Sequence, residues 1–198
     1  MDITDFKIYI DAGHGGSDPG AVASDGTKEK DINLSVANEL DAILINWGVT
    51  TKMTRVTDTY VDVNSIAGIS NDFGANIFVS IHCNTGHGSG GTETYTHTSY
   101  DNYTNDLATR VNNAVVGAYN SINRGVKRAN LAVLRGNNAW CCLNELLFMD
   151  VSSDLRKLKD PNYQQSVAQA IANGINSFVF ANFHNIPNLA EVSKLKNN

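Results

Sequence analysis

The chain has 198 residues, of which 42% are hydrophobic and 18% charged, and it contains three prolines. This composition is typical of a globular protein and excludes a disordered one, and the length suits a single domain with its own core. The formal net charge is −5, and the lysines and arginines form no cluster along the sequence. Because binding to phosphates needs a clustered basic surface, we expect no nucleic-acid partner.

Export and membrane signals are not recognisable in the sequence. The first residues, MDITDFKIYID, lack a basic region followed by a long apolar stretch, and no run of about 18 apolar residues occurs elsewhere. We therefore expect no membrane span, and a chain that either stays in the cytoplasm until it is released or has lost its leader. Cys83, Cys141 and Cys142 lack CxxC spacing, which favours buried thiols over a disulfide framework or a zinc knuckle.

Strand and helix patterns alternate along the chain. Short runs rich in β-branched residues predict strands at 6–11, 49–54, 76–83, 91–98 and 141–146. Apolar residues spaced three and four apart predict helices at 29–48, 64–75, 103–122 and 163–180. This alternation predicts an α/β fold, a single domain whose mostly parallel sheet is flanked by helices on both faces. The pattern fades after Phe180, so we expect a domain at 1–180 and a tail or linker at 181–198.

A histidine stands in the loop that follows the first predicted strand. In the stretch YIDAGHGGSDPG, His14 lies among glycines beyond the carboxyl end of the strand, where ligands gather in open α/β sheets. The loop is not a nucleotide-binding one, because it lacks the lysine and hydroxyl of GxxxxGK[ST], and Asp18 occupies the place of the third glycine of GxGxxG. A structural hydrogen bond inside the glycine turn is the alternative role for His14.

A second histidine and an acidic residue suggest a metal site. His82 ends the apolar run NIFVSIHC, so two parallel strands would bring both imidazoles to one edge of the sheet. A catalytic zinc uses three protein ligands and keeps one position open. Glu29, at the start of the first predicted helix, is the natural third ligand. The alternative for Glu29 is a carboxylate that interacts favourably with the helix N-terminus.

The last predicted strand carries a carboxylate in an apolar run. Glu145 lies in CCLNELLF, and a buried carboxylate is costly unless it is paired, bound to a metal or raised in pKa. Beside a metal, such a glutamate can act as a general base on water. A salt bridge between Glu145 and an arginine such as Arg135 is the alternative.

Several of these segments together resemble a known family. They are DAGHGGSDPGA, the acidic residue that begins the next helix, FVSIHCN, GVKRANLAVLR and LNELLF, and they resemble the zinc-dependent N-acetylmuramoyl-L-alanine amidases of the third amidase family over about residues 6 to 180. The resemblance implies a mixed six-stranded sheet, one catalytic Zn²⁺, and cleavage of the amide between N-acetylmuramic acid and L-alanine in peptidoglycan. It implies that His14, Glu29 and His82 bind the zinc and that Glu145 is catalytic.

Two other functions stay open from the sequence. One is a wall-binding module that keeps the metal without chemistry, and the other is a zinc peptidase acting on the peptide stem. For the amidase, we expect a monomeric endolysin or autolysin that acts on the cell wall. Because the chain is acidic, we expect host specificity to reside in a separate wall-binding module, attached through residues 181–198.

Four other polar residues are considered outside the predicted zinc site. Asn84 either orients substrate or satisfies local backbone groups, and its side chain lies on the same face of the strand as that of His82. His87 is interpreted as a polar loop residue, although a metal or substrate contact is its alternative. His97 and His184 are expected at the surface.

Overall fold

One mixed sheet organises the computed structural model, which describes residues 1–86 and 88–195. Its six strands are β1 (Lys7–Ala12), β2 (Thr50–Met53), β3 (Ile77–Asn84), β4 (Thr92–Thr96), β5 (Asn123–Arg128) and β6 (Trp140–Phe148). Their spatial order across these described residues is β2-β1-β3-β6-β4-β5. Neighbouring strands are parallel except β4 and β6, which pair antiparallel. The predicted mixed, mostly parallel sheet is confirmed.

Helices alternate with the strands in the first half of the chain. They are α1 (Glu29–Asn46), α2 (Val63–Phe73), α3 (Asn102–Tyr119), α4 (Ser152–Lys159), α5 (Pro161–Phe183) and α6 (Leu189–Leu195), and a 3-10 turn precedes β1 at Ile3–Asp5. The sequence analysis did not assign β5, α4 or α6. Strand β5 reads NRGVKR and lies at the edge of the sheet, where charged residues replace the apolar alternation of a core strand.

The two faces of the sheet are covered differently. Alternation along β3 sends Val79 and Ile81 toward a large core that includes residues of α1, α3 and α5, and it sends Phe78 to the opposite face. There Phe78 packs with Ile66 of α2 and with Leu134 of the segment before β6. The predicted helices on both faces are therefore confirmed.

Two further expectations concern the state of the cysteines and the presence of membrane-spanning helices. Cys83, Cys141 and Cys142 are free and buried, as predicted for core thiols. Among the helices of residues 1–86 and 88–195, none has both the length and the apolar character needed to cross a membrane.

Residues 181–195 differ from the expected tail, because they pack on the domain. Phe183 is fully buried, with its ring centroid 4.9 Å from that of Trp140, and Val192 of α6 is also buried. The amino group of Met1 donates to the carbonyl of Phe183 at 3.3 Å. The packed part of the domain therefore continues beyond Phe180, through the end of α5 and into α6. Residues 196–198 lie outside the described residues, and a linking role for this segment stays a prediction.

Candidate active site

His14 is held in an unusual backbone conformation at the end of β1. Its φ is 64°, in the left-handed region that residues other than glycine seldom adopt. Its Nδ1 lies 2.8 Å from Oδ2 of Asp18, and its Nε2 lies 3.2 Å from Oε2 of Glu29. A carboxylate on one ring nitrogen fixes the orientation of the ring and leaves the other nitrogen to face the site.

His82 reaches the same point from β3. Its Nδ1 lies 3.0 Å from Oε1 of Glu29, and its ring centroid is 4.9 Å from that of His14. A Cβ atom on Gly13 would lie 2.2 Å from Nε2 of His82. Glycine at position 13 therefore allows the imidazole of β3 to approach the loop that carries His14.

Glu29 is the first residue of α1 and turns its carboxylate into the space between the two histidines. It is 4% exposed. Its oxygens also accept hydrogen bonds from the backbone N–H of Ala21 at 2.8 Å and of Cys83 at 3.0 Å. Burial opposes ionisation of Glu29, but the hydrogen bonds with His14 and His82 outweigh it and hold the pKa of this carboxyl well below its usual range. Glu29 is thus a fixed negative charge. It contacts both histidines, in addition to its position at the N-terminus of a helix.

The two imidazoles respond to the same carboxylate. Burial lowers the pKa of His14, but Glu29 and Asp18 together raise it to about 9. The pKa of His82 is also raised, because the interactions with Glu29 and Glu145 exceed the effect of burial. In the absence of a cation, Glu29 therefore serves as the counter-ion of both rings.

The cluster has the composition of a zinc site. One ligand atom from each of His14, Glu29 and His82 lies within 4.8 Å of the others. Two imidazole nitrogens and one carboxylate oxygen form a donor set found at catalytic zinc, with a fourth position open to water or substrate. Asp18 supplies the outer carboxylate that commonly supports a histidine ligand. The residues present therefore fit a zinc ion.

Glu145 lies beside this cluster on β6. It is the register partner of His82 on β3, so the two side chains share one face of the sheet. Its Oε2 is buried and has no hydrogen-bond partner among the described residues. Burial raises the pKa of Glu145 to about 7, although His82 opposes the shift. Arg135, the ion-pair partner considered from the sequence, donates to Asn130 at 3.2 Å instead.

Arg55 is a supporting residue that the sequence analysis missed. It is 4% exposed, and its guanidinium donates to the carbonyls of Ala12 at 2.9 Å, Gly13 at 3.0 Å and Lys30 at 2.8 Å. These bonds tie the end of β1 to the start of α1, and so hold His14 and Glu29 in fixed relation. No local pattern around Arg55 signals this role, because its acceptors are backbone groups assembled only by the fold.

The lesser candidates have local roles or lie apart from the cluster. Asn84 donates from Nδ2 to Oε1 of Glu93 at 2.9 Å and accepts from the N–H of Thr85 at 2.8 Å, which favours the local role over substrate orientation. His97 is half-buried near Asn130, and His184 is exposed. His87 lies outside the described residues.

A cavity of about 300 Å³ opens beside the two histidines on the side of β1 and β2. Its lining is polar near His14 and His82 and apolar further away, where Val61, Val63, Ile66 and Val133 contribute. Tyr60 also lines it and is 56% exposed. The cavity therefore joins the candidate metal site to an apolar recess suited to a neutral part of a substrate.

The sheet, the three donors and the half-buried glutamate are the features expected of a metal-dependent hydrolase. Comparison with known proteins makes the class specific. The model of the N-acetylmuramoyl-L-alanine amidase family matches residues 8–177, and the chain belongs to this family. The family predicted from the sequence is thereby confirmed.

The relatives come from bacteria and from a phage. The chain is 40% identical over 171 residues to the sporulation-specific N-acetylmuramoyl-L-alanine amidase of Bacillus subtilis, covering 85% of this chain and 66% of the relative. It is 36% identical over 174 residues to the endolysin of Bacillus phage SPP1, covering 85% and 64%. The crystal structure of an N-acetylmuramoyl-L-alanine amidase from Clostridium difficile 630 aligns with a TM-score of 0.87 and 29% identity, covering 90% and 99%. The chain thus spans about two thirds of the two curated relatives.

Proposed function

We propose that this chain hydrolyses the amide bond between N-acetylmuramic acid and L-alanine in peptidoglycan, with Zn²⁺ bound by His14, Glu29 and His82. The observation that carries the proposal is the buried, unpartnered Oε2 of Glu145 next to that three-residue cluster. A bound zinc ion would lower the pKa of water and polarise the amide carbonyl. The residues of the chain supply the binding of the metal and the movement of the proton.

Glu145 is the proposed general base and acid. In the metal-free chain, burial raises the pKa of Glu145 to about 7, and a half-buried carboxyl next to the cluster can exchange a proton with water. In the proposed reaction, Glu145 takes a proton from the attacking water while the new C–O bond forms. It then gives that proton to the nitrogen as the C–N bond breaks. The products are the lactyl carboxylic acid of the sugar and a stem peptide with a free L-alanine amine.

The proposal is tested by the products released from purified peptidoglycan. We expect the zinc-loaded enzyme to release stem peptides that begin with L-alanine, chelation to stop the release, and added zinc to restore it. Glu145→Gln should keep zinc while turnover falls by about 10²- to 10⁴-fold, the usual contribution of general acid–base catalysis. Glu39→Gln, an exposed change on α1, is the matched control and should retain the wild-type rate.

Other products would contradict the proposal in distinct ways. Fragments cut within the stem peptide would indicate a peptidase. Zinc binding without any product from several types of wall would indicate a binding module. Wild-type turnover in Glu145→Gln would remove Glu145 from the reaction while leaving the amidase assignment intact.

We also propose the cell wall as the place of action of this chain, as a monomeric endolysin or autolysin. Its relatives include a sporulation amidase and a phage endolysin, each longer than the matched region. Because the chain carries a formal net charge of −5, attraction to anionic wall polymers is weak. A separate wall-binding module is the proposed source of host specificity.

A further inference from the structure

A second charged cluster lies on the active-site face of the sheet, two strands away from the candidate metal site. Glu93 of β4 is directly opposite Glu145 in the antiparallel pair and is 2% exposed. Its carboxylate accepts hydrogen bonds from Arg124 Nε at 2.6 Å, Lys127 Nζ at 2.5 Å, Tyr95 OH at 2.7 Å and Asn84 Nδ2 at 2.9 Å. The proposed chemistry uses none of these residues.

A bulge in β5 places both cations on this face. Thr92 pairs with Asn123 and Thr94 with Val126, so three steps along β5 match two along β4. The extra residue lies beside Gly125, whose φ is 78°. In a regular strand, residues three apart point to opposite faces, and a bulge is a device that redirects a side chain. Here it turns Arg124 and Lys127 toward the same carboxylate, while Val126 packs into the core behind the sheet.

The cluster carries a surplus positive charge that is open to solvent. Two cations share the single negative charge of Glu93, and their side chains remain 29% exposed at Arg124 and 38% exposed at Lys127. The Arg124 guanidinium also lies 4.7 Å from the ring centroid of Phe148, which steadies its plane. Glu93 therefore holds both cations in place while they keep N–H groups for a further anion, an arrangement suited to a carboxylate.

The proposed reaction determines in which direction the substrate crosses the sheet, and the inference below rests on that proposed function. Glu145 delivers a proton to the leaving amine, so the peptide must lie on the β6 side of His82 and continue over β4 and β5. The acyl part then lies over the apolar recess near Tyr60 and Ile66. Adjacent strands are about 4.8 Å apart, so β5 is roughly 10 Å from β6, and an extended peptide advances about 3.3 Å per residue.

We infer that Arg124 and Lys127 form a subsite for a carboxylate of the stem peptide, borne by the second or third residue after the scissile bond. The subsite binds the peptide in the ground state and the transition state alike. It therefore affects KM more than kcat.

The test compares muramyl peptides that differ by one functional group. Substrates carry either a free carboxylate or its carboxamide at the second residue or, in a longer series, at the third. We expect the zinc-loaded wild-type enzyme to favour the carboxylate at one of these positions by about tenfold or more in kcat/KM, as for a charge-assisted hydrogen bond. Lys127→Gln should reduce that ratio severalfold, mainly through KM, and Lys127→Arg should keep it.

The control variant removes a positive charge from the next residue of β5. Arg128 is exposed and contacts Tyr100 instead of Glu93, so Arg128→Gln should leave the carboxylate preference unchanged. Thermal melting of each variant verifies folding. Equal cleavage of carboxylate and carboxamide peptides by the wild type at both positions would overturn the subsite and leave the amidase proposal standing. Failure to release any peptide with an L-alanine amine would overturn the proposed function itself.

Discussion

Glu29 is buried and Glu145 is half-buried in one site, and their surroundings give the two carboxylates opposite properties. Glu29 faces two imidazoles and accepts bonds from the N–H groups of Ala21 and Cys83. Oε2 of Glu145 has no partner among the described residues. The pKa of Glu29 therefore falls well below its usual range, whereas burial raises that of Glu145 to about 7. Environments that push two carboxyl pKa values apart assign them different roles.

The contrast follows from the elements that carry the two residues. Glu29 begins a helix that faces both a loop and the end of β3. The N–H of Ala21 in the loop and that of Cys83, at the register irregularity of β3, donate to its carboxylate. Glu145 lies within β6, between β3 and β4, where the ladders on both sides use the backbone donors. A helix start therefore suits a charged ligand, and an interior strand suits a carboxyl that exchanges a proton.

Removing the charge of Glu29 should have the largest effect on this contrast. Glu29→Gln keeps the size and shape of the side chain, but an amide supplies no negative charge to a metal. Its NH₂ group would also face N–H donors that now donate to a carboxylate oxygen. We expect zinc affinity to fall by at least about a hundredfold, because a ligand is lost rather than an outer partner, and activity to fall with it. Bound zinc per chain after dialysis measures the effect.

The control for this change is Asp31→Asn, an exposed carboxylate in the first turn of α1. It should retain zinc, because its side chain lies outside the cluster. Full zinc occupancy in Glu29→Gln would show that Glu29 is not a ligand, and the distinction between the two carboxylates would then rest on hydrogen bonding alone.

Asp18→Asn should have an intermediate effect, because it acts on the metal through His14. The amide no longer supplies the negative charge that orients the ring, so zinc affinity should fall by about 10- to 100-fold. Titration with a competing chelator measures the affinity, and excess zinc should restore activity. Asp25→Asn, which removes an exposed carboxylate paired with Lys159, should leave the affinity unchanged. An unaltered affinity in Asp18→Asn would show that the loop backbone alone positions His14.

The sequence predicted the parts of this site that lie where strands end or a helix begins. His14, Glu29 and His82 were identifiable because parallel strands bring their carboxyl ends to one edge, and Glu145 because a carboxylate in an apolar run is unusual. Arg55 was missed because its partners are carbonyls from distant segments. Glu93 was missed because it lies in the alternating run TETYT, where a polar residue normally faces solvent.

The smallest effect that we expect is on the free energy of unfolding. It reports on the carboxyl of Glu145 without any catalytic turnover. In zinc-free protein, Glu145→Gln should stabilise the fold relative to wild type, and the gain should grow with pH. Chemical denaturation of both proteins from pH 4 to pH 8 gives the difference in free energy of unfolding.

The sign follows from the raised pKa of Glu145, which is about 7 in the folded chain against an ordinary value of 4.5. Below pH 4.5 the carboxyl is protonated in both states, so burial carries no charge penalty. Between pH 4.5 and 7 the unfolded chain loses the proton first, and wild type loses stability that the glutamine variant keeps. Above pH 7 the difference should level off at about 1 to 2 kcal/mol, below the full shift because Glu145 is only half-buried. A difference that does not change with pH would mean that the carboxyl is solvated, and the contrast with Glu29 would lose its physical basis.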